Sequence, residues 1–166
     1  MSAVASQAVD TRRSLLRSIV VGGLLIGTLD AIVYHLIISN LMRGYPLINV
    51  YQYIASGALG SAAFEGGITT ALLGLIFHFV VAFAVAAVFI VSADRMPFLR
   101  RNAILGSLVY GFGVYIVMTM IVVPLSGTPE LPAPTVPDLI IDILDHILVV
   151  GLPLGLFVRR NATLNQ

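Results

Sequence analysis

Residues 68–91 read ITTALLGLIFHFVVAFAVAAVFIV. The stretch contains no Asp, Glu, Lys or Arg. A helix rises about 1.5 Å per residue, so this one is long enough to cross the ~30 Å hydrocarbon core of a bilayer. Three more stretches match it in length and character. Residues 15–41 are apolar apart from Arg17 near their start and Asp30 and His35 inside. Residues 103–123 carry no charge, and residues 139–158 enclose Asp142, Asp145 and His146. The predicted architecture is an all-α, four-helix transmembrane bundle.

Composition supports the same class. The 166-residue chain is 58% hydrophobic and 10% charged, with a mean hydropathy of +1.01. A soluble domain carries about 25% charged residues to cover its wetted surface. Lipid removes that need, because acyl chains solvate apolar side chains directly. The net charge of +1 offers no basic face for nucleic acid. The absence of Cys excludes disulfides, thiolate metal sites and thiol nucleophiles.

Arginine placement predicts orientation, since positive charge is retained on the cytoplasmic side of short loops. Arg12, Arg13 and Arg17 precede or open the first span; Arg95, Arg100 and Arg101 separate the second from the third; Arg159 and Arg160 follow the fourth. Only Arg43 falls in the other two loops. Both termini are therefore expected on the cytoplasmic side, with residues 1–14 a disordered leader and 159–166 a short tail. Thr11-Arg12-Arg13-Ser14-Leu15-Leu16-Arg17 resembles a twin-arginine export signal. Three further spans and no small-residue cleavage site favour an anchor instead. The sequon Asn161-Ala162-Thr163 falls on the cytoplasmic face and is discounted.

Two outer loops remain. Pro129, Pro132, Pro134 and Pro137 favour a stiff, extended connection between the third and fourth spans. In residues 42–67, Leu47, Val50, Tyr51, Ile54, Ala58 and Leu59 recur at helical spacing opposite Asn49, Gln52 and Ser56. This pattern predicts a short interfacial helix lying on the outer leaflet. The glycines from Gly57 to Gly67 leave open a segment that re-enters the membrane. Small residues at every fourth position suit close helix packing: Gly23, Gly27 and Ala31; Gly74, Ala82 and Ala86; Ser107 and Gly111; Gly151 and Gly155. Some of these faces would serve equally for a second copy or another membrane protein. Pro153 should distort the fourth span.

Ionisable residues within a membrane are costly, at about 2.5–3.5 kcal/mol for a central charge on insertion scales, and usually face the bundle interior. Counted along each helix, His35 lies about 10 Å, His146 about 12 Å and His78 about 15 Å below the outer surface. Asp145 shares their layer, Asp142 lies slightly above and Asp30 deeper, while Glu65 sits where the second span begins. Asp138, Asp142 and His146 follow at i, i+4 and i+8 on one helix face, which would let the Asp142 side chain fix the His146 tautomer. Asp30 and His35 are about 140° apart on an α-helix, so only one is expected to point squarely into a shared cavity.

Three functional classes fit. The groups could be interhelical hydrogen-bond glue, in a structural subunit packed against other membrane proteins. They could form a proton or metal site, with His35, His78, Asp142 and His146 as ligands suited to zinc, iron or copper. Or His78 and His146 could be axial ligands of a haem in a redox subunit. No His-Glu-x-x-His, Gly-x-Ser-x-Gly or phosphate-cradling loop marks an enzyme. Tyr110 and Tyr115 read as packing residues.

The segments Ile54-Ala55-Ser56-Gly57, Ala63-Phe64-Glu65-Gly66-Gly67, Pro97-Phe98-Leu99-Arg100-Arg101, Val122-Val123-Pro124-Leu125-Ser126 and His146 with Val150-Gly151-Leu152-Pro153 carry a resemblance. Together, over Gly22 to Pro153, they resemble uncharacterised bacterial four-span inner-membrane proteins of the YagU type. The resemblance implies a bacterial cytoplasmic membrane and supplies no activity.

Overall fold

A computed structural model describes residues 3–130 and 132–164. Four helices long and apolar enough to span a membrane cover Arg13–Met42, Gly67–Arg95, Ala103–Leu125 and Val136–Asn161. No strand occurs among the described residues. The first span begins as α1 (Ala3–Asp30) and continues as a π-helix, Ala31–Met42. Residues 3–14, expected to be disordered, are thus helical; residues 1 and 2 lie outside the described residues. Ala3, Ala5 and Ala8 are strong helix formers, and extending an existing helix carries no nucleation cost.

The second span is α3 (Gly67–Arg95), joined by the short α4 (Pro97–Arg101) to α5 (Ala103–Val117). A π turn, Met118–Val122, and the single turn α6 (Val123–Leu125) complete the third span. The fourth comprises α7 (Val136–Asp145), a π turn His146–Gly151 and α8 (Leu152–Leu164). Both intramembrane prolines, Pro124 and Pro153, come two residues after a π turn. A proline lacks the N–H of the regular ladder and crowds the carbonyl four residues back, and a widened turn relieves that clash. Thr135 and Asp138 form a capping box that starts α7.

Glycines join the spans in pairs. A Cβ on Gly27 would fall 2.8 Å from the Phe79 ring and 3.1 Å from Ala82, while Gly23 lies against Phe83, so α1 and α3 touch with little between their backbones. Gly111, Gly151 and Gly155 do the same for α5 against the fourth span, facing the backbones of His146, Ser107 and Ala103. Such contact gives the dispersion energy that holds helices together in lipid. Away from the two long loops, Ile26, Ala86, Phe89, Ile90, Ala93, Ala103, Val150, Leu154 and Val158 form one dry core. Tyr110 ties α5 to α3 by donating to the Val85 carbonyl at 2.8 Å.

The loop after the first span contains the expected helix, α2 (Leu47–Leu59), with a 3-10 turn at Gly60–Phe64. Its orientation differs from the expectation. Gln52, Ala55 and Ser56 are buried, while Ile48 and Leu59 are exposed. Gln52 and Ser56 face protein, while Asn49 stays exposed, because α3 offers partners: Gln52 donates to the Gly67 carbonyl at 3.0 Å, and Gly74 lets the Tyr51 backbone rest directly on α3. Gly74 therefore serves α2, not another span. The end of α2 is tied to the proline-rich loop, with Gly127 N–H donating to the Gly57 carbonyl at 2.9 Å. The two long loops thus close over one end of the bundle together.

Candidate functional site

A cavity of about 870 Å³ lies beneath those joined loops. Tyr53, Ile54, Thr128, Pro129, Glu130 and Pro134 line its loop side, and Asp30, His35, His78, Asp142, Asp145 and His146 line it between the spans. The dry core lies beyond it, so the polar groups approach from one end of the bundle only.

At the deep end, Asp30 sits between two imidazoles. Its Oδ2 is 3.5 Å from His35 Nε2 and 3.6 Å from His78 Nδ1. The two rings stand edge to face, 4.6 Å between centroids. Among the described residues, Asp30, His35 and His78 are the group whose candidate ligand atoms all lie within 4.8 Å of one another. Asp30 and His35 thus share a cavity, against the 140° separation expected of an α-helix. The reason is local: the backbone turns π-helical at Ala31, and the wider i→i+5 turn advances fewer degrees per residue, which narrows the angle between them.

Hydrogen bonding fixes the role of each nitrogen. His78 Nε2 lies 2.8 Å from the Gly27 carbonyl, which can only accept, so this nitrogen carries a proton. In the neutral ring, Nδ1 then presents a lone pair to the Asp30 carboxylate. His35 packs edge to face on Tyr51, 5.1 Å between centroids, and its Nδ1 is buried without a partner. Asp145 approaches from the fourth span, beside Asp30 but outside that close trio. Its side chain is 1% exposed, both carboxyl oxygens lack a hydrogen-bond partner, and its carboxyl lies beside that of Asp30.

Nearer the loops, Arg43 binds the fourth span. Its Nη2 lies 2.9 Å from Asp142 Oδ1 and 3.1 Å from Asp138 Oδ1, and its Nη1 donates to the Tyr34 hydroxyl at 3.1 Å. Tyr34 in turn donates to Asp142 at 2.9 Å. Burial alone would weaken the Arg43 charge, but the bonds to Asp142 and Tyr34 outweigh it and hold its pKa above the ordinary value.

The Asp142 side chain therefore serves Arg43 and Tyr34, not His146 as expected. His146 Nδ1 donates instead to the Asp142 backbone carbonyl at 2.9 Å, because one helical turn brings that carbonyl closer than the side chain. The His146 ring faces Tyr115, 5.5 Å between centroids, at the cavity wall, so Tyr115 borders the site as well as packing. Glu65 is exposed and away from the cavity lining.

Of the expected metal ligands, His35 and His78 come together, whereas Asp142 and His146 fall outside their cluster. Asp30 takes their place. A porphyrin does not fit the expected haem pair: His78 Nε2 is spent on Gly27, and its Nδ1 is crowded by Asp30 and the His35 ring. The importance of Arg43 had one sequence signal, as the lone arginine outside the three clusters at 12–17, 95–101 and 159–160. No protein-family model, curated protein or solved structure matches the chain.

Proposed function

We propose that this is a multi-pass membrane protein that holds a cation, a proton or a metal ion, in a buried site reached from one face of the bilayer. The observation that carries the reading is the pairing of the part-buried Asp30 with the buried Asp145, and the two imidazoles that stand against Asp30. Two adjacent carboxylates cannot both stay ionised in a membrane interior without a compensating positive charge. The cavity connects this pair to the loops, and the dry core closes the opposite side. That geometry favours binding or sensing over passage through the bundle.

The arginine distribution supports a loop end outside the cytoplasm, and the resemblance noted above supports a bacterial inner membrane. The site would then face the periplasm, where Arg43, Asp138 and Asp142 form its rim.

A thermal-shift comparison in detergent tests the reading. Anything bound by the folded form alone raises its melting temperature by mass action. The wild type should respond to pH, or to added divalent cation, more strongly than the Asp30→Asn/Asp145→Asn double variant. Identical responses of the two proteins would dismiss a cation site.

A further inference from the structure

The distances at the deep end suit an ion better than a hydrogen bond. A charge-assisted N–H···O bond is about 2.7–2.9 Å long. Asp30 Oδ2 stands 3.5 and 3.6 Å from the two imidazole nitrogens, too far for such bonds. Zinc bonds to His and carboxylate are about 2.0–2.2 Å, and at a tetrahedral angle neighbouring donor atoms lie roughly 3.4 Å apart. Two of the three donor separations therefore match the edges of a tetrahedron around one small cation, and all three lie within 4.8 Å.

Resting on the cation-site reading, we propose that the resident cation is a divalent transition metal of the zinc class, held by Asp30, His35 Nε2, His78 Nδ1 and Asp145. Four features agree. His78 gives its other N–H to the Gly27 carbonyl, as metal-bound imidazoles usually do, leaving Nδ1 as the ligand. Asp145, its side chain 1% exposed and its Oδ2 4.0 Å from His146 Nδ1, lies beside Asp30 but outside the close trio, and a shift of its carboxyl would make it the fourth donor. Two carboxylates and a divalent ion sum to zero charge, the balance an apolar membrane interior favours. The donors come from three spans: Asp30 and His35 from the first, His78 from the second, Asp145 from the fourth. Metal binding would thus clamp the bundle as well as fill the site.

The ion occupies little of the 870 Å³ cavity. Exchange would run through the remaining space, past Asp142 and Glu130 on its wall. The Asp142 carboxylate is paired with Arg43, so the exposed Glu130 is the one that would attract a cation toward the ligands.

The test uses the full-length protein in detergent, stripped with EDTA and titrated with CoCl2, whose visible d–d absorption reports four-coordination by N and O donors. The wild type should develop the band with one equivalent of Co²⁺ and lose it on adding one equivalent of Zn²⁺. Asp145→Asn, nearly isosteric, should weaken Co²⁺ binding at least about tenfold. His35→Ala and His78→Ala should abolish the band, and His146→Ala should keep it. If the histidine variants do not fold, the Asp145→Asn titration and elemental analysis of the wild type still decide. Binding that survives in both histidine variants, or is lost in His146→Ala, would overturn the ligand assignment. No Co²⁺ band, together with a melting temperature that still depends on pH through Asp30 and Asp145, would overturn the metal while leaving a proton site. No band and no such dependence would remove both.

Discussion

Arg43 shows most clearly how one residue can organise the loop end. It spans from the first span to Asp138 and Asp142 on the fourth, with Tyr34 bridging. Arg43→Gln leaves two carboxylates and a phenol without their donor, and hydrogen bonds to charged groups are worth about 1.5–3 kcal/mol. A stability loss of about 2 kcal/mol is expected in detergent, read as a lower melting temperature. The Arg43→Gln/Asp142→Asn double variant should recover part of it, since the second change removes a stranded charge; strict additivity would show that the two residues do not interact. Tyr51 offers a pH test. Burial first, then the nearby Asp30 carboxylate, raises its phenol pKa above the ordinary value. An unfolded phenol ionises near pH 10, so the unfolded chain releases this proton first. The contribution to stability is complete below about pH 10 and falls as pH rises beyond it. Tyr51→Phe should lose less stability than the wild type over that range, and parallel curves would count against the burial of this phenol.

At the scale of the element, glycines decide which helices can approach. Gly74 underlies the contact between α2 and α3, where an added Cβ would strike the Tyr51 carbonyl. Gly74→Ala should cost about 1–3 kcal/mol and loosen α2, measured as faster proteolysis of residues 43–66. A Cβ on Gly113 would meet nothing within 4 Å. There, alanine should leave stability unchanged or raise it by up to about 1 kcal/mol through helix propensity. Equal effects at the two sites would mean that α2 does not rest on α3. The same scale explains why the site was only partly readable. Periodicity placed all four spans, because ~20 apolar residues admit one reading in a membrane. It separated Asp30 from His35, because a residue count assumes 100° per step and the chain turns π-helical at Ala31. It also turned α2 the wrong way, since an amphipathic pattern does not say whether water or protein meets the polar side.

For the whole molecule, topology is the quantity to measure. The chain has no Cys, so single cysteines report accessibility without background. Thr128→Cys should react with a membrane-impermeant maleimide on intact cells stripped of outer membrane, and Asn102→Cys only after permeabilisation. The reverse pattern would invert the orientation and place the cation site toward the cytoplasm. By itself the sequence determined membrane residence, the number of spans and which residues would be expensive in lipid, because these follow from sums over apolar side chains that no fold can alter. Tertiary structure decided which expensive residues meet. Asp30 reaches His78 because Gly23 and Gly27 bring α1 against α3, and a π turn swings His35 around to join them. The first depends on backbone contact between segments about fifty residues apart, and the second on a local departure from the α-helical ladder; a count at 100° per residue encodes neither.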